Sequence, residues 1–372
     1  MLQIRQHNTA DTQADDVTSP IDLLKKTETA RLFQHYINHL AAWYDLSDAD
    51  RSFARVVPAK ALSNSLLFHA VIAFAAIHLS RTSAPSVRSL AEKHHSHCVK
   101  LLISLKEHEI RSSAGVTLAA VCLLRSYEIL AEDTDPNRHL TGAYALSVSS
   151  PFDVTQPSLM RAGFFNYLRE DITYSLMSHK PLKLDLSTIG TAYTAVADED
   201  RLNAVTLLLA DTINHCFGHC TAMDRKALSE RLKTWRAALP SQFQPYHDDS
   251  SDAAVSTFPE IHTLGDCYTS TLQYYLVTDC ILLIGGTDAQ PQPDLASNLA
   301  VRMCGLAFTS ESPAVLVNSF GPVSYCGRYL TTEPLRVELK RRLLGCRKST
   351  GWPVDHIISD LEEHWYAKDH HG

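Results

Sequence analysis

The longest apolar run of the chain, SLLFHAVIAFAAIHLS at residues 65–80, restricts the fold more than any other segment. Because the run is apolar on every side, a helix formed by it has to be surrounded by protein or by lipid. It is shorter than the roughly 20 residues that span a bilayer comfortably, and it contains His69 and His78. We therefore predict a buried core helix here and expect no membrane as a partner.

Apolar residues recur at helical spacing almost everywhere after Pro20, and no stretch alternates as a half-buried strand would. There is also no strand–helix–strand rhythm. The sequence thus predicts an all-α fold, a large single domain of many packed antiparallel helices. Helices are predicted at residues 21–45, 64–80, 86–109, 117–130, 135–150, 161–179, 199–217, 224–238, 264–284, 294–309, 333–346 and 353–366.

Two segments do not fit a helical pattern. Residues 1–19 are polar and poor in aromatic side chains, which predicts a disordered N-terminal tail. The stretch PSQFQPYHDDSSDAAVSTFPE, residues 240–260, is typical of an extended connector. The helical domain is therefore predicted at 20–372, with a soft boundary near 240–262.

Composition excludes several classes of function. The formal net charge of −7 argues against a DNA-binding surface spread over the molecule, so no direct contact with nucleic acid is expected. The nine cysteines are scattered and contain no C-x-x-C, which is typical of reduced thiols in an intracellular protein. No phosphate-binding loop, nucleophile elbow or H-E-x-x-H motif is present, so nothing identifies an enzyme class and a non-catalytic protein is favoured.

The segment FFNYLREDITYSL places Arg169, Glu170 and Asp171 side by side in an aromatic and apolar helix. Adjacent helical residues point about 100° apart, so Glu170 and Asp171 do not converge on one substrate atom as paired catalytic carboxylates do. We predict a structural clamp, in which one carboxylate faces the core and meets an arginine such as Arg125 while the other faces water. Arg125 and Glu128, three residues apart on an apolar helix, are predicted to form a structural ion pair.

Two clusters contain side chains that bind metals. In HCFGHC, at residues 215–220, either the two histidines or the two cysteines lie four residues apart, but no further ligands complete a tetrahedral set. We expect a helix end with two core thiols and solvent-facing imidazoles. In EKHHSHC, at residues 92–98, we expect a solvated helix face with His94, His95, His97 and Cys98. No metal and no cofactor is predicted.

Taken in order, the segments resemble the regulatory domain of fungal binuclear zinc-cluster transcription factors, the fungal-specific transcription factor domain. The resemblance runs from about residue 20 to residue 366. The family's usual cluster of six closely spaced cysteines has no counterpart, because the first cysteine is Cys98. The motifs that carry the resemblance are LFQHYINHLAAWYDLSD, LLFHAVIAFAAIHLS, LLRSYEIL, RHLTGAYAL, FFNYLREDITYSLMSHKPLKLDL, WRAALPSQFQPY, FPEIHTL, CGLAFTSESPAVLVNSFGPVSYCGRYLT and TGWPVDHIISDLEEHW.

The resemblance implies a nuclear regulator of transcription without a DNA-binding domain of its own. Such a chain acts through a protein partner, either a full-length zinc-cluster factor or a second copy of itself, or through a small-molecule effector. The alternative is a scaffold reused as an enzyme or metabolite-binding protein of fungal secondary metabolism, which would be cytoplasmic. The residues predicted to hold a ligand are Arg125, Glu128, His139, Tyr167, Arg169, Asp171 and Tyr174.

Overall fold

The computed structural model of the chain describes residues 18–132, 153–184, 186, 197–218, 220–250, 257–284 and 293–371. Most of the predicted tail, residues 1–17, and the predicted helix at 135–150 lie outside these ranges. The described residues form fifteen α-helices and one pair of very short strands. The all-α prediction is confirmed.

The first eight helices build the half of the molecule that contains the charged triplet. A π-helical turn at Tyr36–Leu40 and a 3-10 turn at Ala41–Trp43 follow α2. The helices are α1 (Pro20–Leu24), α2 (Thr27–His35), α3 (Ser52–Ala61), α4 (Ser65–Thr82), α5 (Arg88–Ser104), α6 (Glu107–Ser112), α7 (Ala114–Glu132) and α8 (Leu159–Ser178).

Seven more helices follow. They are α9 (Asp198–Cys216), α10 (Ala222–Ala237), α11 (Asp266–Ile284), α12 (Pro293–Thr309), α13 (Pro313–Gly327), α14 (Glu333–Thr350) and α15 (Asp355–His371). Between α10 and α11, strand β1 (His247–Asp248) pairs antiparallel with β2 (Ile261–His262), so that His247 faces His262. This pair lies within the predicted connector.

Helix α4 occupies the centre of the first half, as its all-apolar sequence predicted. It packs mainly against α5 and α7, with α2 and α3 also in contact. By length and composition alone, α4 and α7 are apolar enough to cross a membrane, but most of each is buried inside the protein. These two helices therefore form the interior of the bundle.

Helices α8, α9, α11 and α13 form the adjoining core. Helix α8 packs against α7 on one side and α13 on another, while α9 packs along α11. Side chains from both halves join one continuous apolar cluster, and a small satellite cluster of Leu208, Leu228, Leu232 and Leu282 lies where α9, α10 and α11 meet. The charged triplet on α8 is thus enclosed by helices from both halves of the chain.

Helices α3 and α13 were not among the helices predicted from the apolar pattern, although the family resemblance implied closing helices in the segment that contains α13. Each contains an internal proline, Pro58 and Pro322. Proline removes one backbone hydrogen bond and ordinarily ends a helix. Next to Pro322, Gly321 lies so close to α8 that a Cβ atom there would be 2.9 Å from the Cα of Thr173. Helix α13 therefore packs tightly against α8 at the point where its proline interrupts the helical hydrogen bonds.

Candidate functional site

Helix α8 is buried along most of its length. Its start is capped by Ser158, whose hydroxyl oxygen accepts a hydrogen bond from the N–H of Arg161 at 3.1 Å. Its end is marked by His179, which takes a left-handed conformation at φ 53°. Between these points nearly every residue from Ala162 to Ile172 is buried, so the polar ones have to find partners inside the protein.

The Arg169 guanidinium is a buried cation held by neutral oxygens. Its side chain, 3% exposed, donates at 2.6 Å to the hydroxyl of Ser47 and at 2.9 Å to the side-chain oxygen of Asn166. Among the described residues no carboxylate forms an ion pair with it, and its Nε has no hydrogen-bond acceptor. Burial lowers the pKa of Arg169, while nearby Tyr274 acts in the opposite direction.

The Asp171 carboxylate is fully buried and points to a different part of the molecule. Its Oδ2 accepts hydrogen bonds from the backbone N–H groups of Lys183 at 3.0 Å and Leu184 at 3.1 Å. Burial raises the pKa of Asp171, although these N–H groups act in the opposite direction. The side-chain oxygen of Asn214 on α9 accepts from the N–H of Leu182 at 2.8 Å. The segment that leaves α8 is thus fastened to two helices.

Arg125 and Glu128 are buried together, and their closest nitrogen and oxygen atoms are 3.9 Å apart. The prediction of a structural ion pair is confirmed. Arg125 also lies 3.7 Å from the carboxylate of Glu170, whose side chain is 26% exposed. The prediction that the core-facing carboxylate meets Arg125 is wrong, because the core-facing one is Asp171 and its hydrogen bonds go to the backbone.

The remaining predicted ligand residues are spread out. Tyr167 is buried in the main core, whereas Tyr174 is half-buried, with the Nζ of Lys183 5.4 Å from its ring centroid. His139 lies outside the described residues. Arg169 and Asp171 have different partners: Arg169 donates to Ser47 and Asn166, whereas Asp171 accepts from the backbone. Their role in ligand binding stays a prediction.

Three asparagines that the sequence did not single out hold the turn at residues 43–47. Asn166 on α8 donates to the carbonyl of Tyr44 at 2.9 Å. Asn203 on α9 donates to the carbonyl of Ser47 at 3.0 Å, and Asn318 on α13 donates to the carbonyl of Trp43 at 3.3 Å. The only signal in the sequence is a single amide within an apolar helix, as in FFNYL, and it does not name a partner.

The same turn anchors α3. The carboxylate of Asp45 accepts hydrogen bonds from the N–H groups of Phe53 at 2.8 Å and Ala54 at 2.9 Å. Burial raises the pKa of Asp45 to about 7, although these two hydrogen bonds act in the opposite direction. The turn therefore connects α3, α8, α9 and α13 through polar contacts.

A cavity of about 20 Å³ lies beside this turn. That volume suits one water molecule, which needs roughly 10–15 Å³, and not a metabolite. The Nε1 of Trp43 is buried and has no hydrogen-bond partner among the described residues. Its N–H group can therefore donate a hydrogen bond to a water molecule in this cavity. The cavity is lined by Trp43, Tyr44, Cys122, Ser126, Asn166, Glu170, Val317 and Asn318.

Two pairs of histidines flank α4. His69 and His94 approach to 2.7 Å between their Nδ1 atoms, and His35 approaches His78 to 3.0 Å between Nε2 and Nδ1. Burial, followed by the charge of neighbouring histidines, lowers the pKa of His94 to about 3 and the pKa of His69, His35 and His78 to about 4.

The EKHHSHC segment thus differs from its prediction. A solvated helix face is wrong for His94 and Cys98, which are both buried. Within the described ranges, no three His, Cys, Asp or Glu side chains are grouped so that they could hold a metal ion.

The HCFGHC segment differs in a similar way. Helix α9 does end there, at Cys216, but Cys216 and Cys220 are both half-buried and not core thiols. The His215 side chain is partly exposed, as expected, and His219 lies outside the described residues.

Comparison with known proteins gives one match. No curated protein matches the chain, and no solved structure does. Residues 31–188, however, match the family model of the fungal specific transcription factor domain. The matched stretch begins within α2 and includes α3 to α8 with the LLRSYEIL and FFNYLREDITYSL motifs, and it ends just beyond the segment held by Asp171. The resemblance beyond residue 188 stays a prediction, whereas residues 31–188 are similar to the fungal specific transcription factor domain.

Proposed function

We propose that this protein is a nuclear regulator of transcription that reaches DNA through a protein partner. The match of residues 31–188 to the fungal specific transcription factor domain carries the proposal. The 372 residues contain no cluster of six closely spaced cysteines, and Cys98 is the first thiol. The partner is a zinc-cluster factor or a second copy of this chain. A small-molecule effector that binds this chain could also regulate its activity.

The distribution of charge supports a partner-mediated role. The basic side chains of helix α14 form ion pairs within the protein. Arg341 and Arg342 both contact the carboxylate of Glu338, at 2.6 and 2.7 Å. Lys340 contacts Glu362 at 2.9 Å, and Arg347 contacts Asp355 at 2.8 Å. Together with the net charge of −7, this pairing leaves little positive potential to attract phosphates.

The buried charged residues at the centre of the domain favour a structural role over a catalytic one. Arg125, Glu128, Arg169 and Asp171 are engaged by neighbouring groups and do not line the cavity beside the turn at residues 43–47, whose volume of about 20 Å³ suits a water molecule. Residues that must position a substrate need space for it next to their reactive atoms. The regulator is therefore favoured over the reuse of the scaffold as an enzyme.

A tethering experiment tests the regulatory role. The chain is fused to an unrelated DNA-binding domain, and transcription of a reporter with the matching site is measured. We expect the output to differ several-fold from that of the DNA-binding domain alone. The Gly345→Ala variant should keep this effect, because no atom lies within 4 Å of the added methyl, whereas Gly321→Leu should lose it through disruption of the core. An output equal to that of the DNA-binding domain alone would contradict the proposal.

A second experiment tests the dependence on a partner. The purified chain should show no salt-dependent binding to genomic fragments, while chromatin immunoprecipitation should detect it at promoters in cells. Tight binding of DNA by the purified chain, weakening steeply with salt, would exclude the need for a partner. Accumulation of a pathway intermediate in a deletion strain with unchanged transcripts would favour the enzyme alternative.

A further inference from the structure

Two thiols lie side by side at the corner between α9 and α10. The sulfur atoms of Cys216 and Cys220 are 3.9 Å apart. Cys280 and Cys326 also interact with each other, but both are completely buried. Cys216 and Cys220, by contrast, are half-buried, so a small reagent in solution can reach them.

The backbone holds this arrangement from both ends. Helix α9 ends at Cys216, and Gly218 then allows a tight turn, because a Cβ atom at that position would lie 2.7 Å from the carbonyl oxygen of Asn214. Directly after Cys220, the hydroxyl of Thr221 accepts from the N–H of Asp224 at 3.1 Å, and the Asp224 carboxylate accepts from the N–H of Thr221 at 3.1 Å. This reciprocal cap fixes the start of α10. The two cysteines are thus kept close by the geometry of the corner.

We propose that Cys216 and Cys220 form a redox modification site, at which a low-molecular-weight disulfide such as oxidised glutathione closes an intramolecular disulfide. In the first step, the Cys220 thiolate attacks one sulfur of the reagent, forms a mixed disulfide and releases one glutathione thiolate. In the second step, the Cys216 sulfur attacks the Cys220 sulfur and releases the second glutathione. The two cysteine thiol protons pass through solvent to the two released glutathione thiolates, and two electrons pass to the reagent, which is reduced to two glutathione molecules.

The order of the two steps follows from the environment of Cys216. Burial, followed by the charge of Cys220, raises the pKa of the Cys216 thiol to about 12. A thiol that is protonated at neutral pH is a poor first nucleophile, because the thiolate is the reactive form. Cys216 therefore acts second, when the electrophilic sulfur is already next to it. The sulfurs have to approach from 3.9 Å to the roughly 2 Å of a disulfide.

The site adjoins the segment that leaves α8. The Phe217 ring lies 4.8 Å from the His179 ring, between centroids, and Asn214 holds the N–H of Leu182. Cys216 also packs on the satellite cluster between α9, α10 and α11. A disulfide here would link the end of α9 to the start of α10 beside the α8 segment held by Asp171, and so would stiffen that corner.

Thiol mapping by mass spectrometry tests the inference. The full-length folded protein is incubated with oxidised glutathione at neutral pH, alkylated under denaturing conditions and digested with trypsin. Both cysteines fall in the tryptic peptide 202–225, so we expect this peptide to become lighter by two hydrogen atoms and to lose both alkylation sites. Reduction with dithiothreitol should restore both sites.

Three variants assign the roles. Cys216→Ser should stop at a glutathione adduct on Cys220, and Cys220→Ser should react many-fold more slowly at Cys216. The control Cys267→Ser removes another half-buried thiol, the one that contacts the carbonyl of Asp198, and should oxidise like the wild type. The inference is overturned if peptide 202–225 keeps both free thiols, if the wild type stops at the Cys220 adduct, or if Cys220→Ser is modified as fast as the wild type.

Discussion

The carboxylate of Asp171 accepts a hydrogen bond at 3.1 Å from the backbone N–H of Leu184, thirteen residues further along the chain. The same oxygen accepts from Lys183, so that one side chain of α8 fixes the path of the chain after the helix has ended. This contact gives Asp171 a structural role in the FFNYLREDITYSL motif. It also separates Asp171 from Arg169, which is bound on another side of the helix.

Replacing Asp171 should be costly. Asp171→Ala leaves the buried N–H of Leu184 without its acceptor, which we expect to lower the free energy of unfolding by about 2–3 kcal/mol. Asp171→Asn keeps one acceptor oxygen and should lose about 1 kcal/mol. Denaturant unfolding followed by circular dichroism measures both. Asp22→Ala, at an exposed carboxylate on α1, serves as the control and should change stability by less than about 0.5 kcal/mol. Equal losses at both sites would rule out the structural role.

Arg169 and Ser47 should be energetically coupled. Arg169→Met removes the donor from the hydroxyl of Ser47 and from Asn166, and we expect a loss of about 2–4 kcal/mol. When Ser47 is already alanine, the loss should be smaller by about 1 kcal/mol, because one of the stranded acceptors is gone. A double-mutant cycle by denaturant unfolding measures this difference. Strict additivity of the two substitutions would show that the contact contributes nothing.

Two helical glycines should respond in opposite ways to alanine. At Gly321 the new methyl would be 2.9 Å from the Cα of Thr173, so Gly321→Ala should destabilise the protein by about 1–3 kcal/mol. At Gly345 no atom lies within 4 Å, so Gly345→Ala should stabilise it by about 0.5–1 kcal/mol through helix propensity. Thermal melts of the two variants provide matched controls for each other. Stabilisation by Gly321→Ala would contradict the close approach of α13 to α8.

The histidine pairs should make the protein sensitive to acid. Burial lowers the pKa of His94 to about 3 and of His69 to about 4, whereas unfolded histidines titrate near pH 6.5. The unfolded state therefore binds more protons between about pH 6.5 and 4, and the free energy of unfolding should fall as the pH drops through this window. The nearby charges of His97 and Lys93 act in the same direction on both rings.

His94→Gln tests this dependence, because glutamine does not titrate. Its stability should decline less steeply with falling pH than that of the wild type, by up to about 1.4 kcal/mol per pH unit. Urea denaturation at a series of pH values measures the slope. Ile103→Gln replaces an exposed side chain that does not titrate, on the same helix α5 as His94, and should leave the slope close to that of the wild type. A His94→Gln profile parallel to the wild type would disprove the role of this pair.

Helices with long apolar faces were predictable, as α4 and α7 show, because their burial follows from composition alone. The apolar pattern alone did not reveal α3 and α13, because Pro58 and Pro322 interrupt it, while packing against distant helices stabilises both. The pairing of Arg125 with Glu128 was predictable, since both lie on one helix. The partners of Arg169 and Asp171 were not predictable. Ser47, which accepts from Arg169, is 122 residues away, and Asp171 contacts backbone N–H groups, which have no signature in the sequence.

The asparagines that hold the turn at residues 43–47 also bear on the order in which the chain can fold. The carbonyl of Ser47 accepts its hydrogen bond from Asn203, which is 156 residues later in the chain. The carbonyl of Trp43 accepts from Asn318, which is 275 residues later. Closing such long loops costs chain entropy before the contacts form, so this centre assembles late. When only residues 31–188 have left the ribosome, α9 and α13 are not yet available, so the polar contacts of this turn are incomplete until both helices have been added.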